Sequence, residues 1–200
     1  MMTIAAIIAA AFSFSACDND RILDTNQSMV LSGQWYGDFG MYYTWIERGH
    51  SYTFDSYETD IVFYPAYDYA THGRGKQVDY YEYGPYEYQY YQFEWAIRDG
   101  YIYLYYDYDH ELDTRISQYS MTNDYFSGVF PGGTRFRLRK IADYYNWTPF
   151  VNNWGYSYRD RWVDYYGGYY KDARTRSEAA PDSTLQEGKV VSRGRRTEIK

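Results

Sequence analysis

One cysteine, Cys17, is present in the 200 residues, so no internal disulfide can staple the fold. The apolar run before it, MMTIAAIIAAAFSFSA, is shorter than the ~20 apolar residues that a bilayer-crossing helix needs. No Lys or Arg precedes that run, so a signal segment built on it is expected to begin upstream of Met1. Positive charge is scarce overall: 20 Lys and Arg stand against 27 Asp and Glu, for a net charge of -7. That balance argues against a nucleic-acid partner, because phosphates reward a basic surface. Signatures of catalysis are missing too. His50, His72 and His110 sit in no nucleophile motif, and Gly73-Arg74-Gly75-Lys76 lacks the spacing of a phosphate loop and leads into a strand pattern.

What the chain does hold is ring. Aromatic residues make up 23% of it, and 30 residues are Tyr, whose apolar ring carries a hydroxyl that needs water or a partner. Half-buried strand positions suit that side chain best. From about Val30 to Ile141, short aromatic and apolar runs are punctuated by Gly, Pro, Asp and Asn, an all-β pattern. In QFEWAIRDGYIYL, Phe93, Trp95 and Ile97 alternate with Glu94, Ala96 and Arg98, and Asp99-Gly100 reads as a two-residue hairpin. Further strands are expected near residues 33–43, 51–54, 59–64, 76–83, 114–121, 125–130 and 134–140, with Pro131-Gly132-Gly133 turning the last hairpin. In the final strand, Phe136 and Leu138 face inward, while Arg135, Arg137 and Arg139 face outward. Short connections predict an up-and-down antiparallel meander of about eight strands, closed into a barrel to remove its edges.

Beyond Ile141 the composition shifts. NWTPFVNNWGYSYRDRWVDYYGGYY predicts one short helix, with Ser157 as N-cap and Gly167 as its stop. From Lys171 onward the polar, charged composition predicts a disordered tail, basic at SRGRRTEIK, whose removal should cost little stability.

Phe14-Ser15-Ala16-Cys17 resembles a bacterial lipobox, in which the cysteine is lipidated and becomes the mature N-terminus. The following Asp18-Asn19-Asp20 resembles the surface-export signal of Bacteroidota lipoproteins, whereas in enterobacteria an Asp after the cysteine signals inner-membrane retention. Gly33-Gln34-Trp35, Trp95-Ala96-Ile97 before the hairpin, and Phe136-Arg137-Leu138-Arg139-Lys140 together resemble the lipocalin-like lipoproteins of Bacteroidota. The resemblance implies that Gly33 and Trp35 open the barrel, with Trp35 near its closed end under an arginine of the last strand. The expected organisation is a signal peptide at 1–16, a lipidated Cys17 and tether at 17–29, a lipocalin-like barrel at 30–141, an aromatic extension at 142–170 and a tail at 171–200.

These readings point to a non-enzymatic, lipid-anchored binding protein of the outer membrane or cell surface, with no cofactor. Its expected partners are the membrane, through the anchor, and a glycan, another small molecule or an envelope protein. Tyr86, Tyr88, Tyr90, Tyr101, Tyr103 and Tyr105 fall on the two strands of the Asp99-Gly100 hairpin and form the candidate binding surface, since Tyr supplies rigid contact area at low entropic cost, although cross-strand aromatic pairing is the simpler reading for most tyrosines. The alternative is a structural or assembly subunit that meets another envelope protein through that same surface. Asp107, Asp109, Glu111 and Asp113 around His110 make a weak candidate Ca²⁺ loop that lacks the EF-hand glycine and terminal Glu; a solvated acidic hairpin loop fits the pattern better. Asp182-Ser183-Thr184 resembles a short O-glycosylation motif of Bacteroidota.

The anchor is directly testable. Expressed behind a functional export signal, Cys17→Ser should leave the membrane fraction, because stable attachment needs the acyl chains. Equal labelling of both forms by a fatty-acid analogue would contradict lipidation.

Overall fold

The computed structural model describes residues 23–152, 155–159, 161–165, 167, 169–171 and 188–197. Cys17 with its lipobox, the 182–184 motif and residues 172–187 of the expected tail lie outside the described residues. A helix, α1, spans 23–31, so the second half of the expected tether is structured. Among the described residues thirteen strands follow: β1 Gly33–Gly37, β2 Met41–Glu47, β3 His50–Pro65, β4 His72–Tyr81, β5 Tyr86–Arg98, β6 Tyr101–Tyr106, β7 Thr114–Met121, β8 Tyr125–Val129, β9 Arg135–Ala142, β10 Tyr156–Tyr158, β11 Arg161–Val163, β12 Tyr169–Lys171 and β13 Lys189–Arg195. A second helix, α2, covers Thr148–Asn152.

Strands β3 to β9 form an antiparallel meander, and β1 lies between β9 and β3. Trp35 pairs with Lys140 on one side and with Ile61 on the other. Those two ladders close an all-β barrel of eight strands, β1 and β3 to β9. The 16 residues of β3 would span ~50 Å if fully extended. Only its second half serves the barrel. The first half carries β2, and β13 pairs with β2 in turn, making a flap that continues beyond the barrel wall.

The alternation that defines the strands also fills the interior. Ile61, Phe63, Phe93, Trp95, Ile102 and Leu138 are all buried there. Gly75 faces Phe93 across the β4–β5 ladder, and a Cβ on it would lie 2.1 Å from that ring; the glycine makes room for the aromatic. The expected hairpin turn is present, with both Asp99 (φ 54°) and Gly100 (φ 74°) in the left-handed region.

Trp35 is fully buried. Its Nε1 donates to the Leu31 carbonyl at 2.7 Å, Phe126 meets it edge-on at 5.7 Å, and α1 is fixed by the Ser28 hydroxyl donating to the Ala70 carbonyl. The cation over the Trp35 ring is Lys140, 5.4 Å from the centroid. This corrects the expectation of an arginine there: Arg135, Arg137 and Arg139 alternate outward and are exposed.

Two further clusters lie outside the barrel. Tyr43, Trp45, Phe54, Tyr81, Tyr86 and Trp162 pack where the flap meets the ends of β4 and β5. On the outer wall, Val62, Val78 and Tyr88 are covered by Trp147 and Phe150. The expected short helix is present in the extension, but it begins at Thr148. Ser157 and Trp162 lie in strands β10 and β11 instead, because β10 finds the free edge of β5 and Arg159 donates to the Gly84 and Tyr86 carbonyls at 3.0 and 2.9 Å.

Disorder also fails as an expectation for Lys189–Arg195. Arg195 donates to the Leu112 carbonyl at 2.7 Å and to the Tyr106 hydroxyl at 2.8 Å, and its guanidinium lies 4.9 Å from the Phe130 centroid. Arg196 pairs with Asp38 and, at 3.7 Å, with Asp55. Residues that read as a solvated basic tail thus find carboxylates and ring faces on distant strands.

Trp35→Ala should destabilise the protein by ~3–5 kcal/mol, the range for removing a buried aromatic, and removing residues 188–200 should cost well over ~1 kcal/mol, given two hydrogen bonds from a charged group. Denaturation midpoints check both. A midpoint unmoved by the truncation would show that β13 adds nothing to the fold.

Candidate functional site

Among the described residues, packed rings occupy the centre of the barrel. Phe63 meets Phe93, Trp95 and Phe126 at centroid distances of 5.4, 6.0 and 6.1 Å, and Phe126 meets Phe136 at 5.0 Å. Toward the flap the interior becomes polar. Thr59 Oγ1 donates to Asp79 Oδ1 at 2.6 Å, and Gln77 Nε2 reaches both oxygens of the same carboxyl at 3.0 and 2.9 Å. Tyr106 donates to Gln77 Oε1 at 2.6 Å, which links the carboxyl through Gln77 and Tyr106 to Arg195. Burial dominates at Asp79: it raises the pKa from 3.8 to about 7, against the hydrogen bonds from Thr59 and Gln77 and the charge of Arg195, which favour ionisation.

Beside this layer the wall is interrupted. β6 pairs with β5 only from Phe93↔Tyr106 to Arg98↔Tyr101, and β10 only from Tyr156↔Gln89 to Tyr158↔Tyr86. Between them, Tyr90 N donates to the Gly155 carbonyl at 2.6 Å and Asp107 N to the Gln92 carbonyl at 3.0 Å. A pocket of about 230 Å³ opens at the gap, lined by Tyr90, Tyr91, Tyr106 and Tyr108, with Gln92 and Asp109 as polar groups and Val151 beside α2's end. Tyr91 and Tyr106 are locked, the first by donating to Gln89 Oε1 and the second by Gln77 and Arg195. Tyr108 is 91% exposed. Burial raises the Tyr90 hydroxyl to about 12, so it stays neutral, and it has no hydrogen-bond partner among the described residues.

The six tyrosines of the expected surface are divided among three places. Tyr86 is buried in the flap cluster, its hydroxyl 2.9 Å from that of Tyr158. Tyr88 is buried under Phe150, ring to ring at 5.0 Å. Tyr90 lines the side pocket. Only Tyr101, Tyr103 and Tyr105 form one outer row. There Tyr103 and Tyr105 run parallel at 6.1 Å, Arg98 lies 4.6 Å over Tyr103 and donates to the Tyr105 hydroxyl at 2.8 Å, and Arg115 lies 4.8 Å over Tyr101. The register was legible; the cover laid over β4 and β5 by residues 145–152 and 155–158 was not.

The candidate Ca²⁺ loop does not assemble. Asp107 pairs with Arg74 and Asp109 with Arg193. Asp113 accepts from Tyr106 N at 2.7 Å and sits 3.4 Å from His110 Nδ1, and Glu111 is exposed on a 3₁₀ turn. Among the described residues no cluster of His, Cys, Asp and Glu could hold a metal ion. Nothing in the local pattern marks Tyr91, Tyr106 and Tyr108 as neighbours, because the break in β5 pairing that gathers them depends on β10.

No family model, curated protein or solved structure matches the chain, so its function is argued from geometry.

Asp79 carries a pH signature. Between its ordinary value of 3.8 and about 7, the unfolded carboxyl is ionised while the folded one keeps its proton, so this group makes stability fall as pH rises through that window and level off above it. Asp79→Asn should flatten the fall. Denaturation midpoints at pH 4.5 and pH 7.5 check this, and an unchanged slope would place the carboxyl in a solvated setting.

Proposed function

We propose that the chain is a non-enzymatic binding protein of the cell envelope, held to the membrane by lipid on Cys17, that takes a sugar ring in the side pocket of Tyr90, Tyr91, Tyr106 and Tyr108. The observation that carries this reading is the pocket's composition: ring faces for sugar C–H surfaces, with an amide and a carboxylate at hand to orient hydroxyls. The floor is rigid because Tyr91 and Tyr106 are already hydrogen-bonded, whereas Tyr108 is exposed and free to close over a ligand. The eight-stranded barrel is compatible with a lipocalin-like origin, and its filled interior moves binding to the side of the wall.

A structural or assembly role is the second reading. It is favoured by the outer Tyr101, Tyr103 and Tyr105 row, which Arg98 and Arg115 hold rigid.

An array of neutral glycans followed by titration of its best ligand tests the proposal. Tyr108→Ala should weaken binding at least tenfold, about 1.4 kcal/mol, without moving the unfolding midpoint, because the side chain is exposed. An array with no ligand, or a ligand bound equally by the variant, would remove the sugar reading and leave the assembly role.

A further inference from the structure

The chain is acidic overall, yet five arginines gather on one outer wall: Arg98 on β5, Arg115 on β7, and Arg135, Arg137 and Arg139 on β9. All five are exposed, alternating with buried Ile97, Ile116, Phe136 and Leu138. None belongs to an ion pair among the described residues, where the carboxylates go to Arg74, His110, Arg193 and Arg196. Cross-strand register sets these arginines against neutral neighbours: Tyr103 opposite Arg115, Val129 opposite Arg135, Ser127 opposite Arg137 and Tyr125 opposite Arg139. Three guanidiniums are laid over rings, Arg98 on Tyr103, Arg115 on Tyr101 and Arg137 on Tyr125, the last at 3.9 Å.

Three like charges at alternate positions of one strand stand roughly 7 Å apart, and repel one another when nothing neutralises them. Ring stacking restrains a guanidinium while leaving its N–H fork to take a carboxylate or sulfate in two parallel hydrogen bonds, as at Arg115 and Arg137, whereas Arg98 gives one N–H to the Tyr105 hydroxyl. We propose that the outer wall of β5 to β9 is an anion-reading surface for an acidic polysaccharide chain. Such a chain carries a carboxylate or sulfate at regular intervals and offers hydroxyls to Ser117, Ser127 and Gln118 between the arginines. Nucleic acid fits less well. Guanidiniums already cover faces of Tyr101, Tyr103 and Tyr125, which single-stranded bases would need for stacking. The wall is separate from the side pocket, and the proposal does not depend on that pocket.

The test titrates the full chain with heparin and with polygalacturonate, with dextran, single-stranded DNA and anionic phospholipid vesicles alongside. Expected are binding of at least one acidic polysaccharide, no binding of dextran, and weakening as salt is raised from 50 to 300 mM. The triple variant Arg135→Ser, Arg137→Ser, Arg139→Ser should lose at least tenfold in affinity, and the corresponding lysine triple should recover only part of it. Tyr108→Ala should bind the polysaccharide as the parent does, which separates this surface from the pocket. If the serine triple does not fold, Arg98→Ser with Arg115→Ser serves in its place, with the same expected loss. Absence of binding to both polysaccharides at low salt, equal binding by the folded variant, or tighter binding of DNA or vesicles would overturn the proposal.

Discussion

The pairing of β1 between β9 and β3 is the constraint on which the rest of the structure depends. One five-residue strand supplies both ladders that turn an open meander into a barrel, and at its centre Trp35 projects into the space that closure creates. Because the ring is fully buried, donates to the carbonyl of Leu31 and lies beneath Lys140, it also ties α1 and β9 to the same end. Closure gives each of the eight barrel strands a paired neighbour on both sides over at least part of its length. The sheet can then carry exposed aromatic rows without offering a template for another chain.

The abundance of tyrosine follows from layering. A ring inside the barrel is better as Phe or Trp, and eight of the ten buried rings of the barrel cluster are one or the other. Tyrosine dominates where one shell meets the next, with the ring packed inward and the hydroxyl paired at the boundary: Tyr80 with Tyr145 at 3.0 Å, Tyr86 with Tyr158 at 2.9 Å, and Tyr106 with Gln77 at 2.6 Å. Burial raises the pKa of Tyr43, Tyr80 and Tyr86 well beyond the ordinary phenol range, so these hydroxyls remain neutral. Much of the phenol therefore joins the barrel to its flap and to its C-terminal cover.

Local rules reached far in this sequence, and their limits are physical. The Asp99-Gly100 hairpin and the split of β9 into Phe136 and Leu138 inside, Arg135, Arg137 and Arg139 outside, were legible because a turn and a period of two are decided by neighbours in the chain. The fates of Tyr86 and Tyr88 were not, since burial there depends on rings more than 50 positions away, such as Phe150 and Tyr158. Arg195 was missed for the same reason: a basic, glycine-containing stretch looks solvated until Tyr106, Phe130 and the Leu112 carbonyl are placed beside it. Likewise Asp107 and Asp109 read as a solvated acidic loop, with a cation loop as the weaker candidate, until Arg74 and Arg193 claimed them. The side pocket exists only where two strands leave a gap on β5, which no single segment encodes.

Central to this account is a barrel centre filled by its own rings, with recognition displaced to a gap in the wall and to its outer face. Titration of the native protein with a neutral apolar fluorophore such as N-phenylnaphthylamine tests that most directly. A filled interior predicts no saturable, one-to-one rise in emission below the unfolding transition. A saturable, blue-shifted signal lost on replacing Phe63 or Phe93 with a charged residue that still folds would show an open cup and contradict it.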